Sequence, residues 1–520
     1  MKKIATALLS CALAAATLAG CAANAAQVPQ ESQEPHTAAL TATAAASVKS
    51  PKYVFLFIGD GMSYPQIQST SDYLGALKDA DYWQAQPSLD DNQGAILDGP
   101  EYLNFMNFEA AGSAVTYDSN SFAPDSASTA TSISTGHKTY SGSINVDETG
   151  TIEYETIAEQ LKAQKGWEIG VITSVNLNHA TPAAFYAHQA SRSSYYEIGL
   201  ELVESGFDYF AGGGLLKPTG SSGDQTDLYE LAQEAGYTVA KTHAEADAIG
   251  TNTEKAIIID EDLADSDAMA YELDRTDDMW ALADYVAKGI EVLDNDTGFF
   301  MMCEGGKIDW ACHANDAAAS IHDTQALADA VQVAIDFAKE HADETLILVT
   351  GDHETGGLTI GFAGTDYDTY LDLLENQKIS FAKYDSDYVA SYKANKTPFE
   401  TVLADIEKLF GLKAQGEEGD KLVLTAYEME QLRAAYEKSI NGTASSQYDQ
   451  AEYVLYGTYE PLSVTITHII NNKSGISFTS YSHTGLPVAV LAEGAGSEMF
   501  NGYYDNTDIY NKLADLLNIA

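Results

Sequence analysis

The chain has 520 residues and carries 77 Asp and Glu against 27 Lys and Arg, which gives a formal net charge of −50 at pH 7. This balance argues against nucleic-acid binding and against a basic patch for an anionic membrane surface. Apolar side chains make up 45% of the sequence, enough for a substantial core, so a disordered chain is excluded. We interpret the acidic excess as a solubilising coat. The alternative is adaptation to high salt, which screens the repulsion among carboxylates. It predicts that stability rises with salt concentration.

The N-terminus has the features of an export signal. Two lysines precede an apolar stretch over residues 4–18, which is short for a membrane span, and Leu-Ala-Gly-Cys then ends at Cys21. This motif resembles a bacterial lipoprotein signal, in which the cysteine becomes the lipidated first residue; ordinary cleavage near the following Ala-rich stretch is the alternative. We predict a signal peptide (1–20), a lipid-anchored flexible linker (21–50) and an exported protein facing the periplasm or cell surface.

Beyond the linker, apolar runs that end in polar or glycine-rich loops recur along the chain. They lie at 54–62, 168–176, 298–313, 344–357 and 487–496, and amphipathic helical stretches separate them. A continuous apolar run is typical of a strand buried on both faces, and ligands bind at the carboxyl ends of such strands. The pattern predicts an α/β fold, a three-layer α/β/α sandwich with a central, mostly parallel sheet.

Two regions interrupt this pattern. Residues 216–280 form a modest insertion, and residues 366–461 form a large one that includes a helical stretch. Neither contains a cluster that looks catalytic. We interpret the larger region as an inserted, crown-like surface subdomain that serves dimer contacts or shapes the cleft, with a decorative loop as the alternative.

A candidate nucleophile lies in the stretch Pro-Asp-Ser-Ala-Ser-Thr-Ala-Thr at 124–131. It places Ser126 directly after Asp125 and ahead of small, helix-compatible residues. Because a helix N-terminus leaves backbone N–H groups free, the position predicts an anion site that holds a nucleophile. By itself such a stretch is more often a capped helix start, and the metal ligands elsewhere in the chain favour the catalytic interpretation.

Those candidate ligands follow the apolar runs. Asp309 and His313 are four residues apart on a predicted helix, so both side chains project from one face and can bind one ion. Asp352 and His353 are adjacent at a strand end, and Asp60 can bridge two cations through its two carboxylate oxygens. Mixed nitrogen and oxygen ligands of this kind suit Zn²⁺.

Two further residues form an all-oxygen set. Glu304 follows a strand, and Thr181 lies where its hydroxyl can cap a helix that has Pro182 at its first position. Carboxylate and hydroxyl oxygens suit Mg²⁺. Each ligand taken singly has an ordinary explanation as a turn, cap or hydrogen-bonded residue, and the combination is what favours a metal centre.

Together these motifs resemble those of the bacterial alkaline phosphatases. Eight pieces occur in the family's order: GDGM with Asp60, PDSA with Ser126, STGHKTYSG at 134–142, HATPAA with Thr181, SR with Arg192, EGGKID with Glu304, Asp309 and His313, GDHETGG with Asp352 and His353, and HTG with His483. The resemblance implies a catalytic domain over residues 51–365 and 462–520. It also implies that the chain hydrolyses phosphate monoesters and serves phosphate scavenging.

The resemblance implies a role for each matching residue. One zinc ion would be held by Asp309, His313 and His483, a second by Asp60, Asp352 and His353, and one magnesium ion by Asp60, Thr181 and Glu304. Ser126 would be the nucleophile that becomes phosphoserine, and Arg192 would bind phosphate through its planar guanidinium. Each subunit of a homodimer would carry two zinc ions and one magnesium ion.

The chain departs from this family pattern at two positions. Where several members carry an Asp and a Lys near the magnesium and the phosphate, this sequence has His179 and Trp310. The pair is similar to that of marine and cold-adapted relatives. Because a lysine charge is lost there, we expect weaker binding of the phosphate product, and the occupancy of the magnesium site stays open.

Two other functions remain open from the sequence. A phosphodiesterase of the same superfamily would use the same two zinc sites, but Glu304, Thr181 and Arg192 favour a dianionic monoester. A non-catalytic surface lipoprotein would keep the fold and lose a ligand, and no ligand is missing. The pairing of Cys303 and Cys312 also stays open, because an exported protein can form one disulfide or keep two buried thiols.

Overall fold

The computed structural model describes residues 50–79, 97–442 and 444–519, which belong to one compact unit. The predicted signal peptide, Cys21 and all but the last residue of the predicted linker lie outside these described residues. Within the described ranges, no helix combines the length and the apolar character that a membrane span needs.

The strands of the described residues are centred on one ten-stranded sheet. In chain order they are β1 (Tyr53–Gly59), β2 (Ala110–Val115), β3 (Glu168–Asn176), β4 (Tyr209–Gly213), β5 (Thr238–Ala240), β6 (Ala256–Ile259), β7 (Phe299–Gly305), β8 (Thr345–Gly351), β9 (Glu354–Thr355), β10 (Thr359–Ile360), β11 (Ile476–Ser477), β12 (His483–Thr484), β13 (Val488–Gly494) and β14 (Gly502–Asp505). The sheet order is β14-β2-β13-β8-β1-β7-β3-β4-β6-β5. Only β13 runs antiparallel to its neighbours in this sheet.

The helices connect these strands. They are α1 (Tyr64–Lys78), α2 (Ser126–Thr135), α3 (Ile157–Lys165), α4 (Ala180–Ala183), α5 (Tyr195–Ser205), α6 (Leu228–Glu234), α7 (His243–Asp247), α8 (Leu282–Leu293), α9 (Lys307–His313), α10 (Ala317–Glu340), α11 (Phe381–Tyr384), α12 (Ala390–Asn395), α13 (Phe399–Phe410), α14 (Ala426–Asn441), α15 (Gln450–Tyr456), α16 (Pro461–Ser474) and α17 (Thr507–Leu517). Short 3-10 turns and one π-helical turn lie between them.

The central sheet is covered on both faces. In β1, Val54, Leu56 and Ile58 point into a core that includes α2 and α17. The alternate residues Phe55 and Phe57 point into a second core that includes α8 and α10. Because side chains alternate across a strand, one apolar run fills both cores, and the predicted three-layer α/β/α sandwich is confirmed.

Residues 216–280 are not the insertion that the sequence analysis predicted. Within them, β6 pairs in parallel with β4, and β5 pairs in parallel with β6, so the region extends the central sheet. These strands have four and three residues, too few for a periodic pattern to distinguish them from loop.

Residues 366–461 form the helices α11 to α15, as their amphipathic stretches indicate. Their apolar side chains share one cluster with residues of α1, α10 and α16. The region is therefore packed against the sandwich and belongs to the same compact unit.

The two cysteines of the catalytic region are separate thiols. Cys303 lies in β7 and Cys312 in α9, and both are buried. Burial raises the pKa of both thiols, so they are protonated and serve as small core residues.

A π-helical turn at Asp385–Val389 places the Asp385 carboxyl inside the larger region. Its Oδ1 has no hydrogen-bond partner among the described residues. Burial raises the pKa of Asp385 to about 8; Glu460 adds to the rise, while a hydrogen bond with Ser463 and the charge of Lys393 oppose it. The carboxyl is therefore protonated in the folded protein at neutral pH.

Replacing Asp385 with Asn should stabilise the protein more at pH 9 than at pH 5. In the wild type the unfolded carboxyl ionises near its ordinary pKa of 3.8 and the folded one near 8, so the free energy of unfolding falls across this window. Calorimetry should show the melting temperature of Asp385→Asn gaining about 2 °C on the wild type between the two pH values. Asp387→Asn, on an exposed neighbour, is the control; an equal offset at both pH values would contradict the assignment.

Candidate metal and phosphate site

The predicted ligands converge because three neighbouring strands end at the same level. Gly59 of β1 is in register with Gly305 of β7 on one side and with Gly351 of β8 on the other. Asp60 and Asp352 are the next residues of their strands, so both carboxylates emerge at the carboxyl edge of the sheet. This is the edge at which parallel sheets bind ligands.

The first group at this edge joins Asp60, Asp352 and His353, whose ligand atoms lie within 4.8 Å of one another. His353 Nε2 is 3.3 Å from Asp60 Oδ1 and 3.2 Å from Asp352 Oδ2. All three residues are no more than 1% exposed. They form a water-excluded cluster of two carboxylates and one imidazole.

The charge states of this group are set by burial. Burial, together with the charges of Asp309 and Glu304, raises the pKa of Asp352 to about 8 and that of Asp60 well above its usual range. Burial also lowers the pKa of His353, so its imidazole is neutral. A buried cluster of carboxylates is costly without a compensating charge, and these residues therefore fit a divalent cation.

The second group joins Asp309, His313 and His483, again within 4.8 Å of one another. The Nδ1 atom of each histidine is bound to a backbone carbonyl, at 2.6 Å from Tyr481 O and 2.5 Å from Pro124 O. A carbonyl only accepts, so both Nδ1 atoms carry protons, and in the neutral imidazoles both Nε2 atoms carry lone pairs.

The two Nε2 atoms of this group lie 3.1 Å apart, and Asp309 is 3.3 Å from the one and 3.6 Å from the other. Two facing lone pairs beside a carboxylate repel unless a cation or a proton lies between them. Burial lowers the pKa of His313, but the neighbouring Asp309 carboxylate outweighs this effect and raises the pKa to about 9. The site therefore favours a positive charge. The donor set of two nitrogens and one carboxylate fits zinc.

A third group consists of oxygen donors. Thr181 Oγ1 lies 3.3 Å from Asp60 Oδ2, and Glu304 Oε2 accepts a hydrogen bond from Thr173, a residue that the sequence analysis missed. Burial raises the pKa of Glu304 to about 7. Its Oε1 and the Nδ1 of His179 are buried without a hydrogen-bond partner among the described residues. Buried polar atoms normally have a partner, so the orphaned carboxylate oxygen fits a cation that takes oxygen ligands.

The helix that carries Thr181 differs from the prediction. It begins at Ala180 with His179 at the N-cap, so Thr181 is not the cap and Pro182 is not at the first position. The Thr181 hydroxyl donates to Asp60 Oδ2 at 3.3 Å.

Ser126 is the first residue of α2, as the sequence predicted, and Asp125 is its N-cap through a bond from Ser128 N. The Ser126 hydroxyl lies 3.1 Å from His353 Nε2 and 3.4 Å from Asp60 Oδ1. It is thus held against the first metal group and faces a cavity of about 400 Å³ that also touches Asp309 and His483 of the second group.

Arg192 lines the same cavity and is oriented by Asp125. Arg192 Nη1 donates to Asp125 Oδ2 at 2.8 Å, and Asp125 Oδ1 accepts from Gly142 N at 2.9 Å. Arg192 Nη2 lies 3.4 Å from His179 Nε2. The N-cap residue of α2 therefore also fixes the guanidinium, a second role of Asp125 that the sequence analysis did not identify.

Part of the cavity wall comes from the two regions that interrupt the pattern of apolar runs in the sequence. Asp265, Ser266 and Tyr271 belong to the region 216–280, and Phe381 and Tyr459 belong to the region 366–461. Among the alternatives for the larger region, the structure supports the one in which it shapes the cleft.

Lys307 was also missed. It is fully buried in α9, and its ammonium lies 2.6 Å from Asp265 Oδ1, 3.9 Å from the ring centre of Tyr271 and 4.7 Å from that of Trp310. The edge of the Trp310 ring also contacts His179, with ring centres 5.9 Å apart. One hint existed in the sequence, since Lys307 precedes Trp310 by about one helical turn.

Comparison with known proteins shows the family of this chain. A model of the alkaline phosphatase family matches residues 51–519. The chain is 29% identical to alkaline phosphatase 4 of Bacillus subtilis over 473 residues, which covers 89% of this chain and 88% of that protein. It is 30% identical to alkaline phosphatase 3 of the same organism over 472 residues, with coverages of 88% and 87%.

Solved structures agree as well. A cold-active alkaline phosphatase from Shewanella sp. superimposes with a TM-score of 0.70 at 27% identity, covering 89% of this chain and 99% of that one. Thermus thermophilus alkaline phosphatase shares the fold with a TM-score of 0.72 at 22% identity, covering 91% and 92% of the two chains. With the family model, the relatives and the fold in agreement, this chain belongs to the alkaline phosphatase family and is a phosphomonoester hydrolase.

Proposed function

We propose that the chain hydrolyses phosphate monoesters through a phosphoserine at Ser126, with two zinc ions and one magnesium ion as resident cofactors. One observation carries the proposal: the Ser126 hydroxyl lies 3.1 Å from His353 Nε2 and faces the cavity that Arg192 and His483 also line. A candidate nucleophile, an anion-binding guanidinium and candidate metal ligands thus face one cavity.

The ligands divide among three cations according to their chemistry. His313, His483 and Asp309 would hold one zinc ion, and Asp60, Asp352 and His353 would hold the other. Asp60, Thr181 and Glu304 would hold magnesium through oxygen atoms, which the orphaned Glu304 Oε1 supports. When bound, the cations favour ionisation of the serine hydroxyl and of a water molecule, and they neutralise the phosphate charge.

The reaction then uses the chain's own groups in two steps. Ser126 Oγ attacks phosphorus in line, the bond from phosphorus to the ester oxygen breaks, and the alcohol leaves with a proton. Water next attacks the phosphoserine, which releases phosphate and restores the hydroxyl. Throughout, Arg192 binds two phosphoryl oxygens as a planar fork, and Asp125 keeps that fork from rotating away.

The phosphodiesterase alternative is less well supported. The third ligand group and the guanidinium both favour a substrate with two negative charges on phosphorus, and a diester has one. A non-catalytic binding protein is opposed by the nucleophile and by the two clusters of intact ligands.

We also propose that the enzyme is exported, is anchored through a lipid on Cys21, works as a homodimer and scavenges phosphate. The support for export and anchoring is the N-terminal signal pattern, which lies outside the described residues. The support for a dimer is the resemblance to the family.

The first experiment compares p-nitrophenyl phosphate with bis-p-nitrophenyl phosphate at alkaline pH, with and without Zn²⁺ and Mg²⁺. The monoester should be strongly preferred, chelation should abolish turnover and the metals should restore it. Ser126→Ala should lower kcat by at least about a thousandfold, because it removes the nucleophile. Diester preference would move the protein to the phosphodiesterase alternative, and no turnover of either ester by the metal-loaded protein would refute the proposal.

Metal content distinguishes the three ligand groups without an activity assay. Mass spectrometry of the purified protein should find two zinc ions and one magnesium ion per chain. His483→Ala should lose about one zinc ion, because the second group keeps only two ligands, and Glu304→Gln should lose magnesium while keeping zinc. His137→Ala, an exposed histidine outside the three groups, is the matched control. Unchanged zinc in His483→Ala would contradict the assignment.

Trp310→Lys should tighten competitive inhibition by inorganic phosphate by about tenfold, or about 1.4 kcal/mol. Trp310 lines the cavity with Arg192, so an ammonium there adds a second cation near the phosphate. Repulsion from the neighbouring Lys307 is limited because Asp265 pairs with it. Trp310→Phe tests the loss of the indole without the charge. An inhibition constant that stays the same in Trp310→Lys would reject this role.

A further inference from the structure

One wall of the catalytic cavity is built from aromatic rings. Tyr271, Trp310, Phe381 and Tyr459, here called the aromatic wall, line the same space of about 400 Å³ as Ser126. Trp310 belongs to the helix that carries ligands of the second group, and the other three rings come from two different segments of the chain. A leaving group attached to phosphorus at Ser126 must extend into this space.

The rings hold one another in place. Phe381 contacts Tyr271 edge to face with ring centres 5.7 Å apart, and it contacts Tyr459 in the same way at 5.9 Å. On the other side, the Lys307 ammonium lies over both Tyr271 and Trp310. Tyr271 is buried, whereas Trp310, Phe381 and Tyr459 keep part of their surface open. The wall is therefore a preformed apolar surface that needs little rearrangement to bind a ring.

Charge on this side of the cavity is nearly balanced. Apart from the metal-ligating residues, the charged groups of the described lining are Arg192 and Asp265. Asp125 pairs with Arg192, and Lys307 pairs with Asp265. A leaving group beyond the phosphate site thus meets ring surfaces and no free cation for a second anionic group.

We propose that the aromatic wall is a leaving-group subsite that selects monoesters with a flat, uncharged aromatic group over saturated aliphatic ones. The subsite rests on the proposed function, because it presumes that the phosphate binds at Ser126. Flat rings stack or meet edge to face with the wall, and a puckered saturated ring of equal carbon number gains only its area burial. The larger region of the chain thereby contributes directly to substrate choice, through Phe381 and Tyr459.

The test uses benzyl phosphate and cyclohexylmethyl phosphate, which have equal carbon numbers and leave as similarly basic primary alkoxides. With the metal-loaded wild type, kcat/KM for the benzyl ester should be higher by about threefold to tenfold. Phe381→Leu and Tyr459→Leu keep apolar volume without a flat ring, so each should bring the ratio toward one. Tyr427→Leu, on an exposed tyrosine of the same region, should leave the ratio unchanged.

Inhibition gives a second measurement on the wild type alone. Benzylphosphonate should inhibit more strongly than cyclohexylmethylphosphonate by a similar factor, whatever the folding of the variants. Equal kcat/KM for the two esters, or a ratio that survives in both leucine variants, overturns the subsite and leaves the proposed function intact. Hydrolysis of neither ester by metal-loaded protein overturns both proposals.

Discussion

Repulsion among buried carboxylates is the constraint on which the rest of this site depends. Asp60, Asp352, Asp309 and Glu304 are all buried within one edge of the sheet, and their charges raise the pKa of Asp60 and Asp352. Folding carries the cost of placing them together, and the proposed cations would offset it. Metal binding and the stability of this edge of the sheet are therefore coupled.

Close backbone contacts at the strand ends hold these carboxylates in position. Gly351 ends β8 so near β1 that an added Cβ would lie 1.9 Å from the Met62 carbonyl oxygen. Gly61, at a φ of +70°, turns the chain directly after Asp60, and an added Cβ there would meet Thr355 and Asp309. The backbone segments that carry the carboxylates are thus packed closely, and the carboxylates cannot move apart unless the strand ends move.

These features explain which parts were predictable from the sequence. Apolar runs that end in Asp60, Glu304 and Asp352 are local patterns, so the α/β fold and the candidate ligands could be found without coordinates. The Lys307–Asp265 pair joins residues 42 positions apart, and Phe381 and Tyr459 pack against two different small clusters of the larger region and its neighbours. Apart from the spacing of Lys307 and Trp310, no local pattern distinguishes such residues from ordinary core or surface positions. The strands β5 and β6 escaped for a related reason, since very short strands depend on their neighbours in the sheet.

Residues proposed for catalysis and residues proposed for substrate selectivity also lie on different parts of the fold. The candidate metal ligands and the phosphate-binding residues lie at strand ends and helix starts of the sandwich. A shift of one such backbone segment would displace several ligands at once. The aromatic wall stands mostly on connecting segments, where a changed ring leaves every ligand in place. The net charge of −50 adds a third influence, since it repels anions at long range, while Arg192 and the proposed cations would attract them within the cavity. Binding of a phosphate monoester to so acidic a protein therefore depends on short-range interactions. An uncharged leaving group adds affinity through its contacts, because the negative charge of the protein does not repel it.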